Sequence, residues 1–569
     1  MKWMIKAPDP ELVSSLKQEF NTSDIIAKVM ANRGIESLEK SRDFFNPSFE
    51  QLHDPFMMKN MDIAVDRIIR NIQDEIPILV FGDYDVDGTT GASLLHLGLK
   101  DLHTKVESYI PDREKEGYGL SAGGIDYAKS IGADLLITCD CGINAFDPVD
   151  YANQKKIDVI ITDHHIPDKK LPVAYAVLNP KQKGCEYPFK GLCGCGVAFK
   201  LLSALSEKSG AQSNVGLKYL DLVALATSAD MVPILDENRV LVHNGLEALE
   251  NTHKPGLHQL LVQTGLAGES LNVGKLVFGL APKINAAGRM GDANRTVELF
   301  TTADKGRAEE LASILVRENK RRQLIQEDVV NDAILLVHSQ VDLELDKVVI
   351  LGSRGWHPGV IGIVASRIKD EFSRPAIIIS FNEDGVGKGS ARSIPKLDLY
   401  DALSHASQFL DGFGGHPMAA GMTVREDQFE SFKSVFLMHV NKILNEDDLI
   451  PRISIDSEMA LTDINPRFMR FLEKLGPFGP GNMRPKFASR NLSISGQPRL
   501  IGHGEHIRFT VSQNGRKYPA VGFKLSSHYE DLIRGIPVDL AYVVEVNEWQ
   551  GSSTIQLNVR DIQIPDQSG

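Results

Sequence analysis

Asp83, Asp85 and Asp87 stand on alternate positions in "VFGDYDVDGTTGASL" (Val80–Leu94), with Gly88 directly after the third. Three carboxylates in so short a loop repel one another unless a cation neutralises them. A calcium loop of the form D-x-[DN]-x-[DN]-G-x₅-E begins this way. Its closing position, however, is Leu94, which offers no chelating oxygen. The preceding "IPILV", Ile76–Val80, reads as a short buried strand and not as an entering helix. The loop is therefore a candidate metal site of another kind, at the carboxyl end of a strand. Asp140, the run Asp163/His164/His165, and Asp230 supply further oxygen and imidazole groups at expected element ends. Such ligands suit Mn²⁺ or Mg²⁺ better than a thiol-seeking ion. Two of these ions about 3.5–4 Å apart hold the attacking and leaving oxygens of a phosphoryl transfer. One Asp at a strand end is commonly only a cap or turn residue, and Asp163 could itself serve as a partner orienting His164. The recurrence in four separate segments is what favours metal chemistry.

The elements that must position these groups are legible from about Ile76 to Pro180. "IPILVFGD", "KVESYIPD", "ADLLITCD" and "DVIITDHH" read as strands, with "GTTGASLLHLGLKDL" and "AFDPVDYANQKK" as crossover helices. Alternation of this kind predicts a parallel sheet covered by helices, with ligands gathered at the carboxyl ends of its strands. From Ala303 to Ser339 a charged stretch lacks Pro and has Gly only near its start, predicting one long helix able to join two lobes. "KVVILGSRGWHPGVIGIVASRIKDEFSRPAIIISF" then opens a second α/β unit, and after Asn445 short β-like runs predict a small barrel or sandwich. The expected divisions are 1–50, 51–300, 301–340, 341–445 and 446–569.

The 569 residues carry a net charge of −13, with 42% hydrophobic and 24% charged residues, the composition of ordinary globular domains. An acidic total does not exclude nucleic acid, because a basic groove can coexist with an acidic exterior. No apolar run reaches the ~20 residues of a membrane span and the start lacks a signal peptide's apolar segment, so a cytoplasmic location is expected. Five cysteines, an odd number, argue against a disulfide framework. The pairs Cys139/Cys141 and Cys193/Cys195 are spaced too closely for an ordinary structural zinc site.

"DYDVDG", "CDCG", "TDHH" and "SADMVP", in this order, resemble the four motifs of the DHH phosphoesterase family. "IPDREKEGYGLS", "APKINAAGRMGDA", "GWHPGVIGIVASR", "GKGSARS" and "FGGHPMAAG" are similar to its single-strand-specific 5′→3′ exonuclease members. The resemblance runs from Ile76 to Val424 and more loosely through "LGPFGPGN". It implies two Mn²⁺ or Mg²⁺ ions, metal ligands Asp85, Asp87, Asp140, His164 and Asp230, with Asp140 between the ions, and His165 at the scissile phosphate or its leaving group. Several relatives carry a histidine four residues before the first ligand Asp; here that residue is Phe81. Asp83, water or substrate oxygens are left to complete that shell.

Further along, Ser390 and Arg392 in "GKGSARS" combine flexible backbone, a hydroxyl and a guanidinium that can bind phosphate through two hydrogen bonds. "FGGHPMAAG", with Gly415 and His416, reads as a glycine-rich turn that backbone and ligand can share. Each alone also fits an ordinary αβ turn, and Arg289 a helix-surface charge. The resemblance makes them DNA contacts, with Arg113 and Tyr118 near the 5′ end. In the last segment Arg499, Arg508, Arg516 and Lys517 interleave with Phe509, Tyr518 and Phe523. This pattern fits either a single-strand-binding groove or aromatics inside with charges outside. The resemblance implies an OB-fold there, single-stranded DNA with a 5′ end as substrate, and a single-strand-binding protein and a RecQ-like helicase as partners. The alternatives are a DHH phosphoesterase for short oligonucleotides or cyclic dinucleotides, and a non-catalytic DNA-binding scaffold.

Overall fold

The computed structural model describes the chain apart from His103, Thr104, Glu114, Gln212, Gln550, Gly551 and 566–569. Two compact units form: one of His53–Asp230 and Gly245–Pro451, the other of Met1–Leu52, Met231–Asn244 and Arg452–Gly569.

In the first unit the strands Ile78–Gly82 (β1), Val106–Tyr109 (β2), Leu135–Cys139 (β3), Asp158–Thr162 (β4) and Ala176–Leu178 (β5) form one sheet. Its order is β2-β1-β3-β4-β5, and every pairing is parallel. Val86–Leu102 (α1), Ala122–Ser130 (α2) and Phe146–Gln154 (α3) are the first crossovers; Gly194–Lys208 (α4) and Leu220–Ala229 (α5) follow the sheet. Leu79, Phe81, Leu136 and Ile161 pack with Ile125 of α2 and Val149 of α3. Burial on both faces explains why β1 and β3 read as unbroken apolar runs. The strand order reverses between β1 and β3, where a sheet of this kind opens a crevice at its carboxyl edge.

After Ala281–Met290 (α6), the helix Lys305–Gln340 (α7) runs for 36 residues, about 54 Å at 1.5 Å per residue. The second sheet contains Val349–Ser353 (β6), Ala376–Phe381 (β7), Val386–Arg392 (β8), Leu410–His416 (β9) and Ala419–Arg425 (β10), in the order β9-β10-β8-β7-β6. Only β6 and β7 pair in parallel; the other three pairings are antiparallel. Ile361–Phe372 (α8), Leu399–Ser404 (α9) and Phe429–Ile443 (α10) accompany it. "GKGSARS" and "FGGHPMAAG" are thus corrected from turns to strands: the first lies mostly in β8, and the second runs from the end of β9 through a tight hairpin bend at Pro417 and Met418 into the start of β10. Glycine content made these strands look like loops.

The other unit is built on Ser457–Glu458 (β11), Phe487–Ile494 (β12), Arg499–Ile501 (β13), His506–Gln513 (β14), Arg516–Gly522 (β15), Val538–Trp549 (β16) and Ser552–Gln563 (β17). The order β11-β12-β16-β17-β15-β14-β13 closes on itself because β12 also pairs with β14, giving a five-stranded barrel. Residues 1–50 do not stand apart. Strand Lys2–Ile5 pairs in parallel with Arg452–Ile455, and Leu16, Ile26 and Val29 share a core with Phe468, Phe487 and Tyr542. The expected 51–300 block is likewise interrupted by Met231–Asn244. Arg239 anchors that piece by donating to Phe44 O at 2.9 Å and Gly476 O at 2.6 Å. Phe509 is core, and the Tyr518 hydroxyl donates to Ile464 O at 2.9 Å, whereas Phe523 is 55% exposed. Alternation in this segment therefore mostly separates inside from outside. Among the described residues, no helix is long and apolar enough to cross a membrane.

Candidate metal centre and phosphate pocket

The turn after β1 is tight enough to dictate its glycines. A Cβ on Gly88 would lie 2.5 Å from Asp83 N and O, and one on Gly82 would lie 2.6 Å from Gly88 O. Asp85 fixes the start of α1, its Oδ1 accepting from Gly88 N at 3.0 Å. Asp87 is aimed at the amino end of α4 and accepts from Gly194 N at 2.6 Å and Cys195 N at 2.9 Å. Free amides and the helix dipole there favour a carboxylate. Cys193 caps the same helix through its Sγ. All four thiols of the two C-x-C pairs are buried and free, in keeping with packing rather than a zinc cage.

Asp140 follows β3 in the left-handed region, at φ 63°, a conformation that Asp and Asn tolerate better than most side chains. After β4, Asp163 accepts from the amides of Ile143, His164 and His165 at 3.0, 2.7 and 3.1 Å, and from His165 Nδ1 at 2.8 Å. The ring it orients is therefore His165, not His164. His164 instead points its Nε2 to within 3.1 Å of Asp140 Oδ1, 3.5 Å of Asp230 Oδ2 and 3.9 Å of Asp87 Oδ2.

Two sets of ligand atoms lie within 4.8 Å of one another: Asp83, Asp85 and Asp140 in one, Asp87, His164 and Asp230 in the other. A third such group, Asp140 with His164 and His165, joins them through Asp140. Phe81 is fully buried and stacks on Tyr109 with ring centroids 5.7 Å apart, so Asp83 takes the third position of the first set.

The electrostatics are those of a cage built for cations. Asp83 Oδ1, Asp140 Oδ1, Asp230 Oδ2 and both nitrogens of His164 are buried without hydrogen-bond partners. Burial, then the neighbouring carboxylates, pushes Asp83 and Asp140 well above the usual carboxylate range and Asp230 up to about 9. Burial lowers His164 to about 4, leaving its imidazole neutral and able to ligate. For Asp163, burial is outweighed by its bonds from His165 and the amides, which hold it low, and His165 is raised in turn. Oxygen-rich sets with one imidazole fit Mn²⁺ or Mg²⁺, and among the described residues those atoms have no hydrogen-bond partner.

Adding Mn²⁺ to metal-free protein at pH 7.5 should release at least one proton per chain, since ligands must be deprotonated. An indicator dye in weak buffer measures this, and zero release would mean the carboxylates were already charged. Because these folded-state values lie above the unfolded ones, the contribution of these carboxylates to the stability of the metal-free protein should fall as pH rises from about 4 towards 9, with His164 working in the opposite sense between about 4 and 6.5.

Beside this cage, Tyr118 donates its hydroxyl to Asp140 O at 3.4 Å and lies 3.5 Å from His165 Nδ1. Its ring meets Tyr84 edge-on, and the Arg113 guanidinium lies 4.9 Å from the centre of the Tyr84 ring. Tyr84, hidden between the loop aspartates, was not singled out by sequence. Arg113 also lines a cavity of about 540 Å³ with Arg289, Lys388, Ser390 and Arg392, across both lobes of this unit. Arg289 donates to Gly359 O at 3.2 Å and Arg392 to Ser390 Oγ at 3.0 Å. Burial, then Arg113, lowers Arg289 to about 10, and burial lowers Arg392. Among the described residues neither has a carboxylate within ion-pair distance. Half-buried guanidinium groups with no carboxylate in ion-pair contact suit an anion.

Gly415 and His416 do not line this cavity; Gly412, Gly414 and Gly421 do. Gly415 is required by the hairpin, with φ 145° and a would-be Cβ 2.5 Å from Ala419 O, whereas Gly412 and Gly414 face open space. Gly415→Ala should therefore cost about 1–3 kcal/mol of stability, while Gly414→Ala should leave it unchanged or slightly raised. Urea unfolding of the two variants checks the contrast.

A parallel sheet delivering this aspartate and histidine set, joined to a lobe with a cationic cavity, defines a phosphoesterase of the DHH class. Three family descriptions match: "DHH family, N-terminal domain" at residues 77–227, "DHHA1 domain" at 345–442 and "RecJ OB domain" at 455–561. The chain belongs to the RecJ family. It is 36% identical over 568 residues to the single-stranded-DNA-specific exonuclease RecJ of Bacillus subtilis, covering 100% of this chain and 71% of that protein. The crystal structure of RecJ in complex with Mn²⁺ from Thermus thermophilus superposes with TM-score 0.85 at 28% identity, covering 99% of this chain and 80% of that one. The Mg²⁺ complex from the same organism gives 0.79 at 27% identity, with 99% and 79% coverage.

Proposed function

We propose that this chain is a Mn²⁺- or Mg²⁺-dependent exonuclease that hydrolyses single-stranded DNA from its 5′ end to mononucleotides. The activity for which the relatives are named and the barrel that matches the RecJ OB domain support the substrate; the 5′ polarity rests on motif resemblance. The observation that carries the reading is the continuity from cage to cavity. Tyr118 reaches His165 and Asp140, Tyr84 links Tyr118 to Arg113, and Arg113 lines the guanidinium cavity with Arg289 and Arg392. A strand whose phosphates occupy the cavity then presents a phosphodiester to the metal ligands.

Asp85, Asp87, Asp140, His164 and Asp230, with Asp83, would hold the cations, which supply charge stabilisation and activation of water. His165, steadied through Nδ1 by Asp163, turns its other nitrogen to the phosphoryl or leaving oxygen. Arg392 and Arg289 hold neighbouring phosphates in register. Such a substrate is made where duplexes are unwound, so the cytoplasm, a helicase and a single-strand-binding protein are the setting we assign.

The test uses single- and double-stranded DNA labelled at either end. Early release of label as mononucleotide from 5′-labelled single strands supports the reading. First release from 3′-labelled strands, preference for duplex, or faster turnover of a 5-mer than of a 50-mer would overturn it.

A further inference from the structure

Asp401 and His405, four residues apart, share one side of α9 and its end, and His439 on α10 meets them. We propose that these three residues form a binding site for a borderline divalent cation of the zinc class, on the second lobe and separate from the catalytic set.

Ligand atoms from all three lie within 4.8 Å of one another. The backbone beneath them is fixed by core packing of Ala402, Leu403 and Ala406 with Phe436 and Val440. His405 Nδ1 lies 3.0 Å from Asp401 O. A carbonyl oxygen only accepts, so that nitrogen carries the proton and Nε2 keeps its lone pair for a metal. This is how ligating histidines are commonly held in one tautomer. His439 Nε2 is buried with no hydrogen-bond partner. The two imidazoles stack with centroids 3.8 Å apart and planes 24° apart. Burial first, then His405, lowers His439, while Asp401 works the other way and Lys442 adds to the lowering.

One carboxylate and two imidazoles suit zinc, nickel or copper better than magnesium. Three protein ligands leave the fourth tetrahedral position to water. Because His405 is held by Asp401 O, convergence on one ion requires the His439 ring to turn about its Cβ–Cγ bond towards the exposed Asp401 and His405. A bound ion would tie α9 to α10.

The experiment uses the full-length chain, stripped of metal and then saturated with Mg²⁺ so that the catalytic carboxylates are occupied. Zn²⁺ is titrated against a chromophoric chelator for the unmodified chain, Asp401→Asn and His439→Gln. The unmodified chain should bind one zinc more than either variant, and its Tm should rise with that zinc while theirs does not. Equal zinc counts in all three would overturn the proposal. Mg²⁺-dependent nuclease activity, kept in both variants, verifies folding. Crystals soaked in zinc should show an anomalous peak among the three side chains; a peak confined to Asp87, His164 and Asp230 would refute the site.

Discussion

Asp140→Asn should lower the rate of phosphodiester hydrolysis by at least about 10³-fold, the loss expected when several kcal/mol of metal-borne charge stabilisation disappears. Asp140 alone belongs both to the Asp83/Asp85 group and to the His164/His165 group, so its loss disorganises both positions. Single-strand binding should persist, because the guanidinium cavity is untouched. A second readout separates this effect from misfolding. In EDTA at pH 7.5 the variant should melt at a higher temperature than the parent chain, since burial and the surrounding aspartates disfavour a charge there. Parallel loss of activity and thermal stability would refute the assignment.

Arg392→Ala should raise KM for single strands about 100-fold or more, with a smaller change in kcat. A guanidinium grips phosphate through two charge-assisted bonds, each worth about 1.5–3 kcal/mol. Burial already disfavours the Arg392 cation, and among the described residues it donates only to Ser390 Oγ and Ala391 O. Removing it should therefore leave stability unchanged or slightly improved. Lys should not rescue it, because an ammonium cannot make the paired contact. The plot of log affinity against log salt should flatten by about 0.7 for each phosphate that the protein no longer neutralises. Unchanged KM and salt dependence would count against the cavity as the strand's anchor.

The candidate metal cage was unusually legible because a parallel sheet concentrates function at strand ends. Asp83, Asp140 and Asp163 each directly follow an apolar run whose burial on both faces makes it visible. The long helix was readable for a different reason: Lys305–Gln340 contains neither Pro nor any Gly beyond its second residue. The second lobe was harder. Strand glycines imitate loops, so β8, β9 and β10 passed for turns. Which glycine serves the hairpin and which lines the cavity depends on φ and on atoms brought from neighbouring strands. The partnership of residues 1–50 with the barrel was equally hidden, since a parallel pairing of Lys2–Ile5 with Arg452–Ile455 leaves no local trace. Asp163 needed the fold to show which histidine it grips.

The left-handed backbone at Asp140 also restricts how this position can change over evolutionary time. β-Branched and bulky residues are costly at such a dihedral, while Gly and Asn accept it readily. Gly and Asn bring no anionic oxygen, and Glu would add a methylene where Gly194 already presses against the side chain. Few residues can therefore combine this backbone with an anionic oxygen at position 140.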